Sequence, residues 1–155
     1  MGNKKENGNE GFLIALTSIQ EIAFRFNAGY DYSSFSGDNL SFGIKYDVHT
    51  EKEAEIVRLT ITITYLASDN KELLAEYSLL TEYHLIGLSK LITIDEHGEE
   101  TMEKDVIINM LNLSIGTLRG AFFLKMKDTP LSKFPIPLIP SDLLEAELDK
   151  NKRKK

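Results

Sequence analysis

LSFGIKYDVHTEKEAEIVRLTITITY, residues 40–65, sets the fold class. Leu40, Phe42, Ile44, Tyr46 and Val48 alternate with Ser41, Gly43, Lys45, Asp47 and His49. A period of two sends successive side chains to opposite faces, so this is a strand with one apolar face. HTEKEAE is a polar turn. Val57, Leu59, Ile61, Ile63 and Tyr65 then resume the alternation against Arg58, Thr60, Thr62 and Thr64. Threonines suit a strand face that is solvated or lies at an interface.

Working outward, Ile22, Phe24 and Phe26 alternate with Glu21, Ala23 and Arg25 and predict an earlier strand with one buried face. The segment between, NAGYDYSSFSGDN, is a loop by its Gly, Ser, Asn and Asp content. Its Tyr30, Tyr32 and Phe35 are unusual in a loop and are expected to lie across something apolar. Downstream, LLAEYSLLTEYHLIGL (73–88) is apolar on both faces. It predicts a central strand, or one whose outer face meets another subunit. On this strand Tyr77 and Tyr83 suggest interface positions.

Asp105 is expected to cap a helix through VIINMLNLSIGTLRGAFFLKM, with Val106, Met110, Leu113 and Leu118 near helical spacing. Gly116 and Gly120 each cost about 0.8–1 kcal/mol in a helix relative to alanine. That cost points to close approach by another element. Ser141 can cap a short helix, DLLEAELDK. Strands first and helices after give an α+β protein: a four-stranded antiparallel sheet followed by a long helix and a short C-terminal helix.

The 155 residues suggest one domain, over 12–149, with a polar arm at 1–11 and a basic tail at 150–155. A hydrophobic content of 42% with 27% charged residues is ordinary for a globular chain. Net charge −6 argues against nucleic acid as a ligand. No continuous apolar run reaches the length of a membrane span, so no membrane partner is expected. The absence of cysteine excludes disulfides, thiolate metal sites and a cysteine nucleophile, and fits a cytoplasmic location.

His49, His84 and His97 have no metal-ligand spacing, and no GxSxG, P-loop or GxGxxG is present. IDEHGEE lacks the alternating ligands of a calcium loop and reads as a solvated charged turn. The residues therefore indicate neither an enzyme nor a cofactor. What stands out is apolar surface in GTLRGAFFLKMKDTPLSKFPIPLIP (116–140), which starts like a helix but whose Pro130, Pro135, Pro137 and Pro140 exclude both helix and central strand from its later part. Such surface suits self-association or the binding of an extended apolar peptide.

Four stretches carry a family resemblance. They are QEIAFRFNA (20–28), LLAEYSLLTEYHLIGL with Leu74, Glu76 and Gly87, LRG (118–120), and PLIPSDLL (137–144). Together they resemble the SecB family of protein-export chaperones, and most closely the shorter SecB-like branch found beside toxin–antitoxin operons. The resemblance implies an ATP-independent holdase that assembles as a dimer of dimers, with Tyr77, Leu113, Gly116 and Gly120 at the oligomer interface. It implies a groove for unfolded or pre-secretory clients lined by Leu138 and Ile139, with Phe24, Phe26, Tyr30, Tyr32, Phe35 and Phe42 beneath or beside them. Glu21, Leu74 and Glu76 fall on positions that contact a partner, the SecA motor in SecB proper. Arg25 and the KNKRKK terminus depart from the acidic pattern of those contacts and disfavour SecA. In the SecB-like branch the client is an antitoxin or another cognate protein. A dedicated interaction module on the same fold is the alternative reading.

Overall fold

A computed structural model describes residues 13–152. The arm expected at 1–11 and the last three residues of the expected tail lie outside the described residues. The four predicted strands form one antiparallel sheet: β1 (Leu13–Phe26), β2 (Leu40–Glu51), β3 (Ile56–Ala67) and β4 (Leu73–Ile86). Their spatial order is β1-β4-β3-β2. The β2–β3 register is unbroken from Leu40↔Ala67 to Glu51↔Ile56. Glu55 turns the chain between them at φ +55°, and Lys71 does the same before β4 at φ +59°.

The alternation in β3 becomes strict burial: Val57, Leu59, Ile61, Ile63 and Tyr65 face inward while their neighbours stay half-exposed. β4 is indeed central, between β1 and β3. The inward face is covered by α2 (Lys104–Met126), which buries Val106, Met110, Ser114, Leu118 and Phe122 among others. Phe122 lies 5.1 Å from the Tyr65 ring and 6.2 Å from the Tyr77 ring, centroid to centroid. One polar cluster crosses this interface. Ser114 Oγ is 2.7 Å from Thr81 Oγ1 and 2.7 Å from the Tyr83 hydroxyl. Thr81 also donates to Leu59 O. Each hydroxyl has a partner, so the burial penalty of about 1–3 kcal/mol for an unsatisfied group is avoided. The cluster also ties the helix to one axial position on the sheet.

Several local expectations are corrected. Tyr77 and Tyr83 are 2% and 1% exposed and belong to the core of this chain, not to an outer surface. Ile22, Phe24 and Phe26 do not share one buried face: Phe26 is half-buried, Phe24 is 37% exposed and Ile22 more so. The β1 register shifts between Leu16 and Ser18 and again between Glu21 and Ala23. These bulges leave Thr17 and Ile22 as extra residues, and Ile22 is 54% exposed. α2 starts one residue before Asp105, with Glu103 at the N-cap and Asp105 in the first turn. IDEHGEE is the tip of a hairpin, β5 (Ile92–Ile94) and β6 (Glu100–Met102), preceded by the single-turn α1 (Leu88–Leu91). The C-terminal helix α3 spans Ser141–Lys152, so the first residues of the expected tail continue that helix.

The outer side of α2 is uncovered. Leu113, Phe123 and Leu124 are 57%, 55% and 66% exposed. At 100° per residue they share one face with Gly116 and Gly120. A Cβ built on either glycine meets nothing within 4 Å. By length and composition α2 is long and apolar enough to cross a membrane, but half of its most apolar stretch is buried in the fold.

Candidate functional site

α2 packs on β3 and β4 and reaches the far edge of the sheet only near its start, at Ile107. There, on β2, Phe42, Ile44, Tyr46 and Val48 remain half-buried, and the roof comes from a different part of the chain. That roof is the proline segment leading into α3. Pro137, Leu138, Ile139 and Pro140, with Leu143 and Leu144 of α3, stand opposite Phe42, Ile44 and Tyr46 across a cavity of about 670 Å³. Leu138 projects from the rim, 78% exposed, and Leu143 is 56% exposed. Lys45, Glu147 and Lys150 supply the polar border. A second cavity of about 450 Å³ continues along the same strand past Tyr46 to Val48 and Thr50. Its far wall is Ile92 and Met102 of the β5–β6 hairpin, closed by Ile107 and Leu148. Since β2 is the last strand of the sheet, the groove runs beside a strand edge that no other described strand covers.

The roof is shaped by what proline lacks. Pro135, Pro137 and Pro140 have no N–H to give to a ladder, so the segment is tethered through its carbonyls. The Tyr65 hydroxyl donates to Phe134 O at 2.8 Å. Arg119 Nε donates to Ile136 O at 3.1 Å. Pro140 O accepts from Leu143 N and Leu144 N and so starts α3. Ile136 is 2% exposed and plugs the segment into the core. Burial pushes the Tyr65 hydroxyl up to about 12, partly offset by the Arg119 charge, so it stays a donor at any physiological pH.

Phe42, Leu138 and Ile139 line the groove together. Phe26, Tyr30, Tyr32 and Phe35 do not line it; they form an aromatic cluster at its root. Phe26 stacks on Tyr32 at 5.9 Å, and Phe35 meets Phe134 edge-on at 5.3 Å. The loop aromatics thus lie across an apolar surface, that of one another and of the residue where the roof begins. Phe24 is elsewhere. It sits on β1, the opposite edge of the sheet, against Tyr77 with Lys125 over its ring at 5.1 Å.

The three partner-contact positions are dispersed. Glu21 faces α2 and pairs with Lys125 at 2.9 Å, which holds its carboxyl below the usual range. Leu74 is fully buried. Glu76 lies on the outer face and pairs with Arg25 at 3.5 Å, so the basic residue that breaks the acidic pattern also neutralises part of it. Of the oligomer positions, Leu113, Gly116 and Gly120 share the uncovered face of α2, whereas Tyr77 lies inside the chain. Among the described residues no three His, Asp or Glu side chains are placed to hold a metal. Ile44, Tyr46, Leu143 and Leu144 were not singled out from the sequence. The alternation in β2 marks its apolar face but carries no sign that the strand is an edge.

In sequence, the chain matches no protein-family model and no curated protein. In structure it is similar to the Rv1957 SecB-like chaperone of Mycobacterium tuberculosis, solved in complex with a ChAD peptide from the HigA1 antitoxin. The TM-score is 0.50 over 81% of this chain and 90% of that one, at 7% identity. The fold is SecB-like. At that identity the likeness is one of backbone and topology: the four-stranded antiparallel sheet, the long helix and the short terminal helix.

Proposed function

We propose that this chain binds extended apolar segments of non-native proteins in the β2 groove and holds them without ATP. The carrying observation is the largely apolar cavity of about 670 Å³ between an uncovered strand edge and the proline roof, with Leu138 standing 78% exposed at its rim. A folded surface offers little to such a trough. An unfolded chain offers alternating side chains for the cavities and a backbone for the strand edge. Each apolar side chain buried contributes roughly 1.5–3 kcal/mol. Association and ordering offset about 4 kcal/mol or more. Three or four anchors therefore give an affinity of about micromolar or weaker, enough to hold a client and to release it without nucleotide.

A second reading has one specific support. The SecB-like protein of similar fold was solved with a peptide from an antitoxin. On that reading this chain is a dedicated module for one cognate partner, such as an antitoxin. Both readings share a cytoplasmic setting and a homo-oligomer, with a second copy covering Leu113, Gly116, Gly120, Phe123 and Leu124 on α2. That occupant gives the two glycines a use that nothing among the described residues supplies. SecA is not favoured as a partner, because Glu21 and Glu76 are each paired within the chain and point to different faces.

The test is suppression of aggregation. An unrelated, chemically unfolded protein is diluted into buffer without nucleotide, with and without this chain, and light scattering is followed. Suppression near one assembly per client supports the holdase. Unchanged scattering from a well-folded assembly that still binds an antitoxin peptide supports the dedicated module. Failure to bind either one rejects both.

A further inference from the structure

LRG, residues 118–120, lies outside the groove lining, yet its arginine touches the roof. Leu118 is fully buried in the core and Gly120 is on the open face of α2, so Arg119 is the member that points toward the groove. It is half-buried, and no carboxylate pairs with it among the described residues. A half-buried guanidinium without a counter-charge has given up some hydration and needs acceptors in return. The acceptor it has is Ile136 O, two residues before Leu138.

We propose that Arg119, together with Tyr65, is a positioning residue for the binding groove: the pair anchors the proline roof so that Leu138 and Ile139 stay poised over β2. This rests on the groove reading above. The prolines are the reason an anchor is needed. Phe134, Ile136, Leu138 and Ile139 are the residues of 134–139 that retain an amide N–H. The segment is in neither helix nor strand. Its order comes from the Ile136 side chain, from the Phe134 ring against Phe35 and the Phe134 amide on Leu131 O, and from two carbonyl bonds, one from the sheet and one from α2. Tyr65 supplies a neutral hydroxyl and Arg119 a charged donor, the stronger of the two. Freed from both, the roof would have to be ordered again each time a client binds, and affinity would fall by that ordering cost.

The test uses the full chain carrying Arg119→Ala, Arg119→Lys or Tyr65→Phe, with Leu138→Asp as a groove control. The probe is a short fluorescein-labelled peptide rich in leucine and phenylalanine, read by anisotropy. Backbone mobility at Ile136, Leu138 and Ile139 is followed by amide-nitrogen NMR relaxation, with thermal unfolding and mass in parallel. Arg119→Ala is expected to bind about tenfold more weakly, with greater mobility at those amides and unchanged mass. Tyr65→Phe should lose about threefold. Arg119→Lys, which keeps a charged donor, should recover most of the affinity. Greater mobility with wild-type affinity overturns the proposal. So does weaker binding with unchanged mobility, since Arg119 would then act on the peptide directly. If Leu138→Asp weakens binding and the anchor variants do not, the positioning role falls and the groove stands. If Leu138→Asp also binds like wild type, the groove reading falls with it. Should Arg119→Ala fail to fold, Arg119→Lys and Tyr65→Phe decide the matter on the same readouts.

Discussion

The two edges of the sheet are built for different uses. β2 is straight in register along its whole pairing with β3, and its inward side chains are roofed at a distance that leaves cavities. β1 is broken by two bulges, and Leu16, Ile19 and Ile22 stand 45%, 51% and 54% exposed along it. Bulges twist an edge and spoil it as a template for backbone pairing. β1 therefore exposes apolar side chains, while β2 exposes a regular backbone edge beside cavities. Near the second bulge, Lys125 joins α2 to β1 through Glu21 and the Phe24 ring. At the other edge Arg119 joins the same helix to the roof. One helix thus fastens both margins, with opposite results: a closed contact at β1 and an open trough at β2.

The strongest way to break this contrast is a charge at the rim. Leu138→Asp should weaken peptide binding by about thirtyfold, because a carboxylate replaces an apolar contact in the trough. Thermal stability should barely move, since Leu138 is already exposed. Equal binding by wild type and variant, measured by anisotropy, would put the client somewhere other than β2. Backbone pairing sharpens the same point from the ligand side. A client peptide N-methylated on alternate residues should lose about tenfold in one phase of the alternation and little in the other, because only one set of amides faces β2. Equal losses in both phases would mean that side chains alone hold the client.

The open face of α2 comes next. In an isolated protomer Gly120→Ala should raise stability by about 0.8–1 kcal/mol, as helix propensity predicts where a Cβ meets nothing. Where a second copy covers that face, Gly120→Leu should instead reduce the mass measured by light scattering. An unchanged mass would remove α2 from the interface.

The smallest effect belongs to the β1 margin. The Glu21 carboxyl is lowered from 4.5, chiefly by its hydrogen bond from Lys125. A depressed carboxylate contributes stability above its unfolded value, and that contribution is lost as pH falls through the folded value. The difference in melting temperature between wild type and Glu21→Gln should therefore be present at neutral pH and be lost in acid, as pH falls through the lowered value. Peptide binding at β2 should not respond to this substitution. If it does, the two margins are coupled through α2.

Periodicity made most of the fold legible. β2 and β3 alternate over ten or so residues, β4 is apolar on both faces because it is central, and the stripe on α2 is wide. The β5–β6 hairpin was not legible, because three-residue strands carry no period to detect. The bulge at Ile22 was hidden for the opposite reason. Local alternation continues through it, and only pairing with β4 reveals the extra residue. Tyr77 and Tyr83 misled because an apolar strand in a sheet centre and one at an interface have the same composition.

At the candidate site the prolines identified the roof, since apolar residues that can enter neither helix nor sheet need another use, and Leu138, Ile139 and Phe42 line one cavity beneath it. Phe24 lies on the opposite edge strand, because side-chain chemistry carries no strand order. By itself, the sequence determined that this is an α+β chain with an apolar, proline-held segment before its last helix: backbone period and the missing proline N–H are local properties. Only the tertiary structure decided that β2 is the open edge, that the hairpin extends the trough, and that Tyr65 and Arg119 hold its roof. Those depend on which distant carbonyl meets which donor, a matter settled when strands pair and α2 finds its place on the sheet.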